Sequence, residues 1–335
     1  MSKNYFQNKT VLVTGAAGFI GSHLCQELLK LEANVIGVDN FLTGSDDNIK
    51  AMVKVVGGLE ENFTLIEADV NQPPETYLAP GLKIDLVFHL ASPASPIKYQ
   101  QYPRETYLVN SWATHQLLDF LFETQPKAKF LFASTSEVYG DPLEHPQKES
   151  YWGNVNPNGV RSCYDESKRM GETVCGVYER DFNMDVRIIR IFNTYGPRMD
   201  IDDGRVIPNF IKFALQSKKF EVYGKGNQTR SYCYVTDLVK GILLMMSKEG
   251  LKGETVNLGN PVEFTVMKTA QVIKEALGQK FDKKQDVEYK ALPKDDPTRR
   301  KPDIKKAQQL LGWKPKVKFK EGLKDTIEFF REKVE

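Results

Sequence analysis

Along the first half of the chain two hydrophobic patterns alternate. Short apolar, β-branched runs are followed by segments whose apolar residues recur every three to four positions, and this alternation marks βαβ units around a parallel sheet. "KTVLVTG" reads as the first strand, "SHLCQELLKLE" as a helix, and "NVIGVDN", "FTLIEAD" and "DLVFHLAS" as strands two to four. The amphipathic stretch "ETYLVNSWATHQLLDFLFET" predicts a long helix before the strand "KFLFASTS". The helix "YDESKRMGETVCGVYERDF" and the strand "DVRIIRIFN" complete the series. These strands carry apolar residues on both faces, so helices must cover both sides of the sheet.

After "GPRMDIDDGR" the pattern changes. A helix near "IPNFIKFALQS", short strands at "FEVYG" and "TVNLGN", and helices near "VMKTAQVIKEAL" and "EGLKDTIEFFREK" predict a smaller mixed lobe packed against the strand C-termini. The expected fold is α/β, a Rossmann-type doubly wound parallel sheet over residues 1–197 with a smaller mixed α/β substrate lobe over residues 198–335. No Gly/Ser linker separates the two, so this boundary is approximate and the chain is free to cross it more than once.

Composition narrows the function. The 46 basic and 44 acidic residues leave a net charge of +2, which gives no argument for a nucleic acid or a membrane as partner and favours a small molecule. Cys25, Cys163, Cys175 and Cys233 show no CxxC spacing, and His23, His89, His115 and His145 are scattered without ligand-like spacing. Reduced thiols and no metal site are therefore expected. "MSKNYFQNKTVLVTG" enters the first strand without an apolar signal segment, and no run approaches the roughly 18 apolar residues of a membrane span. The expectation is a cytoplasmic protein without an anchor.

"TGAAGFIG" places Gly15, Gly18 and Gly21 between a strand and a helix. The first allows a tight turn, the second lets the backbone approach a pyrophosphate, and the third permits close packing of helix on strand. The opening turn of the helix offers unpaired N–H groups to the anion. Asp39 ends the second strand, where a carboxylate holds the adenine ribose hydroxyls and repels a 2′-phosphate; this favours NAD over NADP. Asp69 and Val70 end the third strand, and spacing alone leaves them as adenine contacts or turn residues.

In "SCYDESKRM", Tyr164 and Lys168 stand four apart, on one face of a helix. A free tyrosine is a poor base at neutral pH; an adjacent ammonium and an oxidised nicotinamide would favour its phenolate, which could then take a proton from a substrate hydroxyl. Thr135, at the end of the preceding strand, supplies a hydroxyl for the same substrate oxygen.

Taken together, "TGAAGFIGSHL", "VDN", "HLASPASP", "ASTSEVYGDP", "CYDESKR", "RIFNTYGPRM", "DGRVIPNFI", "YGKGNQTRSYCYVTDL", "NLGNP" and "DDPTRRKPDI" resemble the extended short-chain dehydrogenase/reductase family. Within it they are most similar to the UDP-glucuronate decarboxylases, or UDP-xylose synthases, from about Val11 to about Phe330. "HLASPASP", "TSEVYG" and "RKPDI" are the specific parts, since epimerases and dehydratases share the glycine loop and the Tyr/Lys pair. The resemblance implies a retained NAD, the substrate UDP-glucuronate and the product UDP-xylose. It assigns Glu137 and Arg300 to decarboxylation and protonation. It adds Phe19, Ile20, Asn40, Thr43, Gly44, Leu90, Ser92, Ala133 and Thr194 to the cofactor site, with Tyr164, Lys168 and Arg205 also touching the cofactor. For the substrate it implies Asn110, Asn193, Arg205, Arg230 and Arg300.

A homodimer through the helices holding Ser111–Phe122 and Tyr164–Arg180 is likewise implied, although core packing would produce the same apolar stripes. Three positions depart from the pattern: Leu108 where relatives often carry lysine, Ser167 in place of a usual glycine, and Asp200 where histidine is frequent. The alternatives that remain are a UDP-glucuronate 4-epimerase, a nucleotide-sugar 4,6-dehydratase and a non-catalytic NAD sensor.

Overall fold

Strand β1 (Thr10–Thr14) shows how the pattern becomes a layered structure. Val11 and Val13 enter one hydrophobic core while Leu12, between them, enters another on the opposite face. That is the period of two in a strand buried on both sides. The computed structural model describes residues 5–291 and 299–334.

Around β1 lie β2 (Asn34–Asp39), β3 (Phe63–Glu67), β4 (Leu86–His89), β5 (Lys129–Thr135) and β6 (Val186–Ile191). With the strand Thr255–Leu258 they form a seven-stranded sheet in the order Thr255–Leu258, β6, β5, β4, β1, β2, β3, every pair parallel. The strand order reverses between β1 and β4, which opens a crevice at their C-terminal ends. Helix α1 (Phe19–Lys30) covers one face through Leu24, Cys25, Leu28 and Leu29. On the other face, α4 (Pro103–Thr124) packs through Leu117, Leu118 and Leu121, beside α5 (Ser162–Arg180). Between them in sequence come α2 (Asp46–Val56) and the short α3 (Pro96–Gln101).

One strand departs from the sequence expectation. "TVNLGN" reads as part of the smaller lobe, yet Thr255–Leu258 is the edge of the large sheet, paired with β6 from Thr255 opposite Ile188 to Leu258 opposite Ile191. Val256, Asn257 and Leu258 are fully buried there, which a local pattern of four residues does not reveal. Trp313 also returns to the large core, its indole N–H donating to the Asp237 carbonyl at 2.8 Å.

A third core, with Phe210, Phe220, Tyr232, Ile273, Phe319 and Phe330, holds the smaller lobe together. It includes α6 (Val206–Leu215) and small sheets. In one of these sheets Arg299–Arg300 runs parallel to Thr229–Ser231, with Arg300 opposite Arg230. This pairing carries two arginines from distant parts of the chain to the mouth of the crevice.

The turn from β1 into α1 has no room for side chains. Gly15 has φ +74° and its N–H bonds the Val38 carbonyl at 2.8 Å; a Cβ on Gly21 would lie 1.9 Å from the Gly15 carbonyl oxygen. Gly21→Ala is therefore expected to force α1 away from β1, destabilising the fold by about 1–3 kcal/mol and lowering retained dinucleotide. Urea unfolding and the dinucleotide content of purified protein check this; an unchanged midpoint and content would contradict it.

Candidate active site

A cleft of about 810 Å³ opens at the C-terminal ends of β1, β4 and β5. Gly15, Gly18, Phe19, Ile20, Gly21, Thr43 and Gly44 line one end, with Leu90, Ser92, Ala133 and Thr194. A side cavity continues past Asp39, Asn40, Asp69 and Val70. Gly18 caps α1 without a side-chain hydrogen bond, so the first N–H groups of the helix are available to an anion. This glycine cradle, which a Cβ would fill, fits the pyrophosphate of a dinucleotide. Asp39 is buried, and burial raises its carboxyl above the usual range. Hydrogen bonds to Oδ2 from the Ala17 N–H (2.9 Å) and to Oδ1 from the Phe41 N–H (2.8 Å) oppose that rise.

At the back of the crevice His89 is fixed and neutral. Burial pushes its pKa down to about 3, so Nε2–H donates to the Val109 carbonyl at 3.2 Å and Nδ1 accepts from the Thr14 hydroxyl at 2.7 Å.

The centre of the cleft is lined by Thr135, Glu137, Tyr164, Lys168, Asn193, Arg205, Arg230 and Arg300. Burial pushes Tyr164 up to about 12, against the lowering effects of the Thr135 hydrogen bond and Arg205. Lys168 donates to the Ala133 carbonyl at 2.7 Å, and its ammonium lies 4.9 Å from the Phe132 ring centroid and 5.9 Å from that of Tyr164. Burial lowers Lys168 to about 7. The spacing argument has this ammonium acting on the phenol; burial is the largest influence on both groups. Tyr164 is also flanked by Tyr99 of α3, stacked at 5.0 Å with an interplanar angle of 6°.

Glu137 is the second residue of the 3-10 turn Ser136–Tyr139 that follows β5. Both of its oxygens take the Arg300 fork: Nη1 meets Oε1, and Nη2 meets Oε2 at 2.7 Å. Arg161, just ahead of α5, donates to the same Oε2 at 2.5 Å. Burial alone would raise this carboxyl, but Arg300 and Arg161 outweigh it and hold Glu137 near 2. A polar scaffold fixes the turn from behind. Tyr139 donates to Asn257 at 2.8 Å, Arg190 donates to Tyr139 at 3.0 Å, and Glu172 pairs with Arg190 and accepts from Ser134.

A family model described as GDP-mannose 4,6 dehydratase matches residues 12–326. UDP-glucuronic acid decarboxylase 6 of Arabidopsis thaliana is 50% identical over 333 residues, spanning 98% of this chain and 91% of the relative. The chain belongs to the UDP-glucuronic acid decarboxylase family. UDP-glucuronic acid decarboxylase 1 of Xenopus tropicalis is 46% identical over 98% of this chain and 73% of that relative. Among solved structures, a UDP-glucuronic acid 4-epimerase from Bacillus cereus in complex with UDP-glucuronic acid and NAD aligns with TM-score 0.82 and 28% identity, over 96% of this chain and 99% of that one. DesIV, a dTDP-glucose 4,6-dehydratase from Streptomyces venezuelae with NAD bound, aligns with TM-score 0.84 and 28% identity, over 96% and 97%.

This member of the decarboxylase family brings nearly all of the expected site residues to the cleft and its side cavity. Asn110 is the exception. It is fully buried on the inner face of α4 and donates to the Ser167 hydroxyl at 3.0 Å, because close packing of α4 on α5 turns it away from the cleft wall. The departures have defined places too: Ser167 donates to the Cys163 carbonyl at 2.6 Å, Leu108 is half-buried off the cleft wall, and Asp200 lies 3.8 Å from Lys98. Of the motif "DDPTRRKPDI", residues 295–298 lie outside the described residues. Sequence reasoning missed Tyr99, Arg161 and Asp165; the only available signal was that Arg161 and Asp165 flank Tyr164 closely in "RSCYDE".

Lys168 gives the decarboxylase a measurable pH dependence. Its folded pKa of about 7 lies below the ordinary lysine value, so between the two the unfolded chain binds the extra proton and is favoured. That penalty is full below about pH 7 and fades as pH rises toward the ordinary lysine pKa of about 10.4. In urea titrations of ligand-free protein from about pH 7 to 9, wild-type stability should rise relative to Lys168→Met. Parallel curves for the two proteins would contradict it.

Proposed function

We infer that the protein is an NAD-dependent decarboxylase that converts UDP-glucuronate to UDP-xylose and CO2. The observation that carries this reading is the Glu137–Arg300 ion pair in the same cleft as Thr135 and Tyr164, beside a glycine cradle. Bound in that cradle, NAD supplies a hydride acceptor and then returns the hydride. The roles of the side chains follow from the chemistry of the sugar.

Tyr164 removes the proton of the C4 hydroxyl and Thr135 holds the same oxygen. Oxidation at C4 places a ketone β to the carboxylate carbon, so the electrons of the breaking C–C bond pass into an enolate whose oxygen faces Tyr164 and Thr135. Arg300 reads the substrate carboxylate through its planar fork. In doing so it brings that carboxylate beside Glu137, so that two anions lie next to each other. Loss of CO2 removes one of them and relieves the repulsion. Held near 2, Glu137 is no proton donor at neutral pH; it acts as a fixed negative charge and as an acceptor that orients water for protonation at C5. Asn193 and Arg230 line the cleft and would take the diphosphate, and Arg205, forked to Asp203 at 2.5 and 2.7 Å, lines it too and would serve both cofactor and substrate.

The proposed assembly is a homodimer through α4 and α5, which leave Tyr107, Trp112 and Met170 each about half exposed on the outside of the sheet. The proposed compartment is the cytoplasm, supported by four free cysteines. Among the described residues no helix is long and apolar enough to cross a membrane.

Incubation with UDP-glucuronate and NAD+ should yield CO2 and UDP-xylose; UDP-galacturonate without CO2 would overturn the reading in favour of an epimerase. Glu137→Gln should slow CO2 release by about 100-fold while retaining NAD and leaving KM equal or lower, because it removes repulsion of the bound substrate. Wild-type CO2 release in that variant would contradict the role given to Glu137. Sedimentation should show a dimer that Trp112→Glu dissociates; a monomeric wild type, or a variant that stays dimeric, would contradict the α4–α5 interface.

A further inference from the structure

The substrate carboxylate and Glu137 compete for one guanidinium. In the cleft Arg300 gives both ends of its fork to Glu137. If the fork turns to a substrate carboxylate, Glu137 loses its bidentate partner while it remains largely shielded from water. A buried carboxylate left without a cation takes up a proton or moves, and either outcome removes the fixed charge.

Arg161 stands where it can prevent this. It is buried, and its Nη2 meets Oε2 of Glu137 at 2.5 Å from α5, an element separate from the strand that carries Arg300. The neighbouring Asp165 does not take Arg161 away. Its Oδ2 is 3.9 Å from Arg161 Nε, its buried Oδ1 has no hydrogen-bond partner among the described residues, and burial with the nearby Glu137 pushes its carboxyl up to about 8. Raised in this way, and no closer than 3.9 Å, Asp165 competes weakly with Glu137 for Arg161.

We propose that Arg161 is a positioning residue for decarboxylation: it keeps Glu137 in place and charged while Arg300 changes partner from Glu137 to the carboxylate of the substrate. This inference rests on the decarboxylase reading for the identity of that carboxylate, whereas the state of Glu137 can be read without substrate. The charged and titratable groups facing Glu137 are Arg300 and Arg230 from the small sheet, Arg205 ahead of α6, Arg161, Tyr164 and Asp165 from α5 and its start, and Tyr99 from α3. Arg161 is the cation among them that contacts Glu137 from an element other than the one carrying Arg300.

The test compares wild type, Arg161→Gln and Arg161→Lys, each first shown to be folded by thermal unfolding and to retain NAD. Single-turnover reactions with UDP-glucuronate follow C4 oxidation by NADH absorbance and CO2 release separately, across pH. Arg161→Gln should oxidise C4 within about threefold of wild type yet release CO2 about 100-fold more slowly, a loss matching removal of one member of a buried pair. Its CO2 profile should also gain an acid limb, because without Arg161 the carboxyl pKa rises from about 2 and the ionised fraction falls as pH is lowered. Arg161→Lys should recover part of the rate and move the limb back down. Equal losses in oxidation and CO2 release, or no loss in either, would overturn the proposal.

A substrate-free readout separates failure of this inference from failure of the decarboxylase reading. The carboxyl carbon resonance of Glu137 in labelled protein should titrate at higher pH in Arg161→Gln than in wild type. Identical titrations would overturn the role of Arg161 whatever the enzyme does with UDP-glucuronate. Wild-type protein that shows the titration difference but releases no CO2 would overturn the decarboxylase reading and, with it, the partner exchange assigned to Arg300.

Discussion

A carboxylate stays ionised in a closed cleft only if cations face it, and the organisation of this site follows from how Glu137 meets that constraint. Arg300 reaches Glu137 across 163 positions of sequence, and Arg161 reaches it from the start of α5. The first link ties the end of β5 to the small sheet in which Arg300 lies opposite Arg230. The second ties it to the helix that carries Tyr164 and Lys168. One anion thereby ties the helix of Tyr164 and Lys168 and the small sheet of Arg300 and Arg230 to the end of β5.

The energetics explain why the surroundings are so polar. Glu172, Arg190, Tyr139, Asn257 and Ser134 form a hydrogen-bonded chain behind the 3-10 turn, so the backbone that presents Glu137 and Thr135 is held by directional contacts as well as by packing. On the cofactor side the opposite device operates. Gly15 and Gly21 remove side chains where backbone must approach backbone, leaving helix N–H groups to meet an anion. Burial acts on Tyr164 and Lys168 in opposite senses, raising the phenol to about 12 and lowering the amine to about 7.

Much of this was legible in the sequence because it is local. The strands β1 to β6 lie where the β-branched runs predict them, and the glycine spacing located the cradle since turn, helix start and close packing are all short-range demands. Long-range pairing was not legible. Thr255–Leu258 joins the large sheet only by registering with β6, and nothing in four residues announces that partner. Asn110 sits on the correct helix but faces Ser167, a matter of helix rotation fixed by the packing of α4 on α5. Arg161, Asp165 and Tyr99 went unnoticed because each matters through a partner brought close by folding: Glu137, Arg161 and Tyr164. The motif argument singled out Glu137 and Arg300 separately, each for the substrate, and gave no sign that the two pair with each other.

The central claim is that the substrate carboxylate enters by taking the Arg300 fork from Glu137. It is tested most directly by a crystal structure of Tyr164→Phe protein with NAD and UDP-glucuronate, a variant that blocks oxidation and holds the complex before CO2 is lost. The account predicts Arg300 paired with the substrate carboxylate and Glu137 retained on Arg161. A substrate carboxylate bound elsewhere, with the Arg300 fork still closed on Glu137, would contradict it.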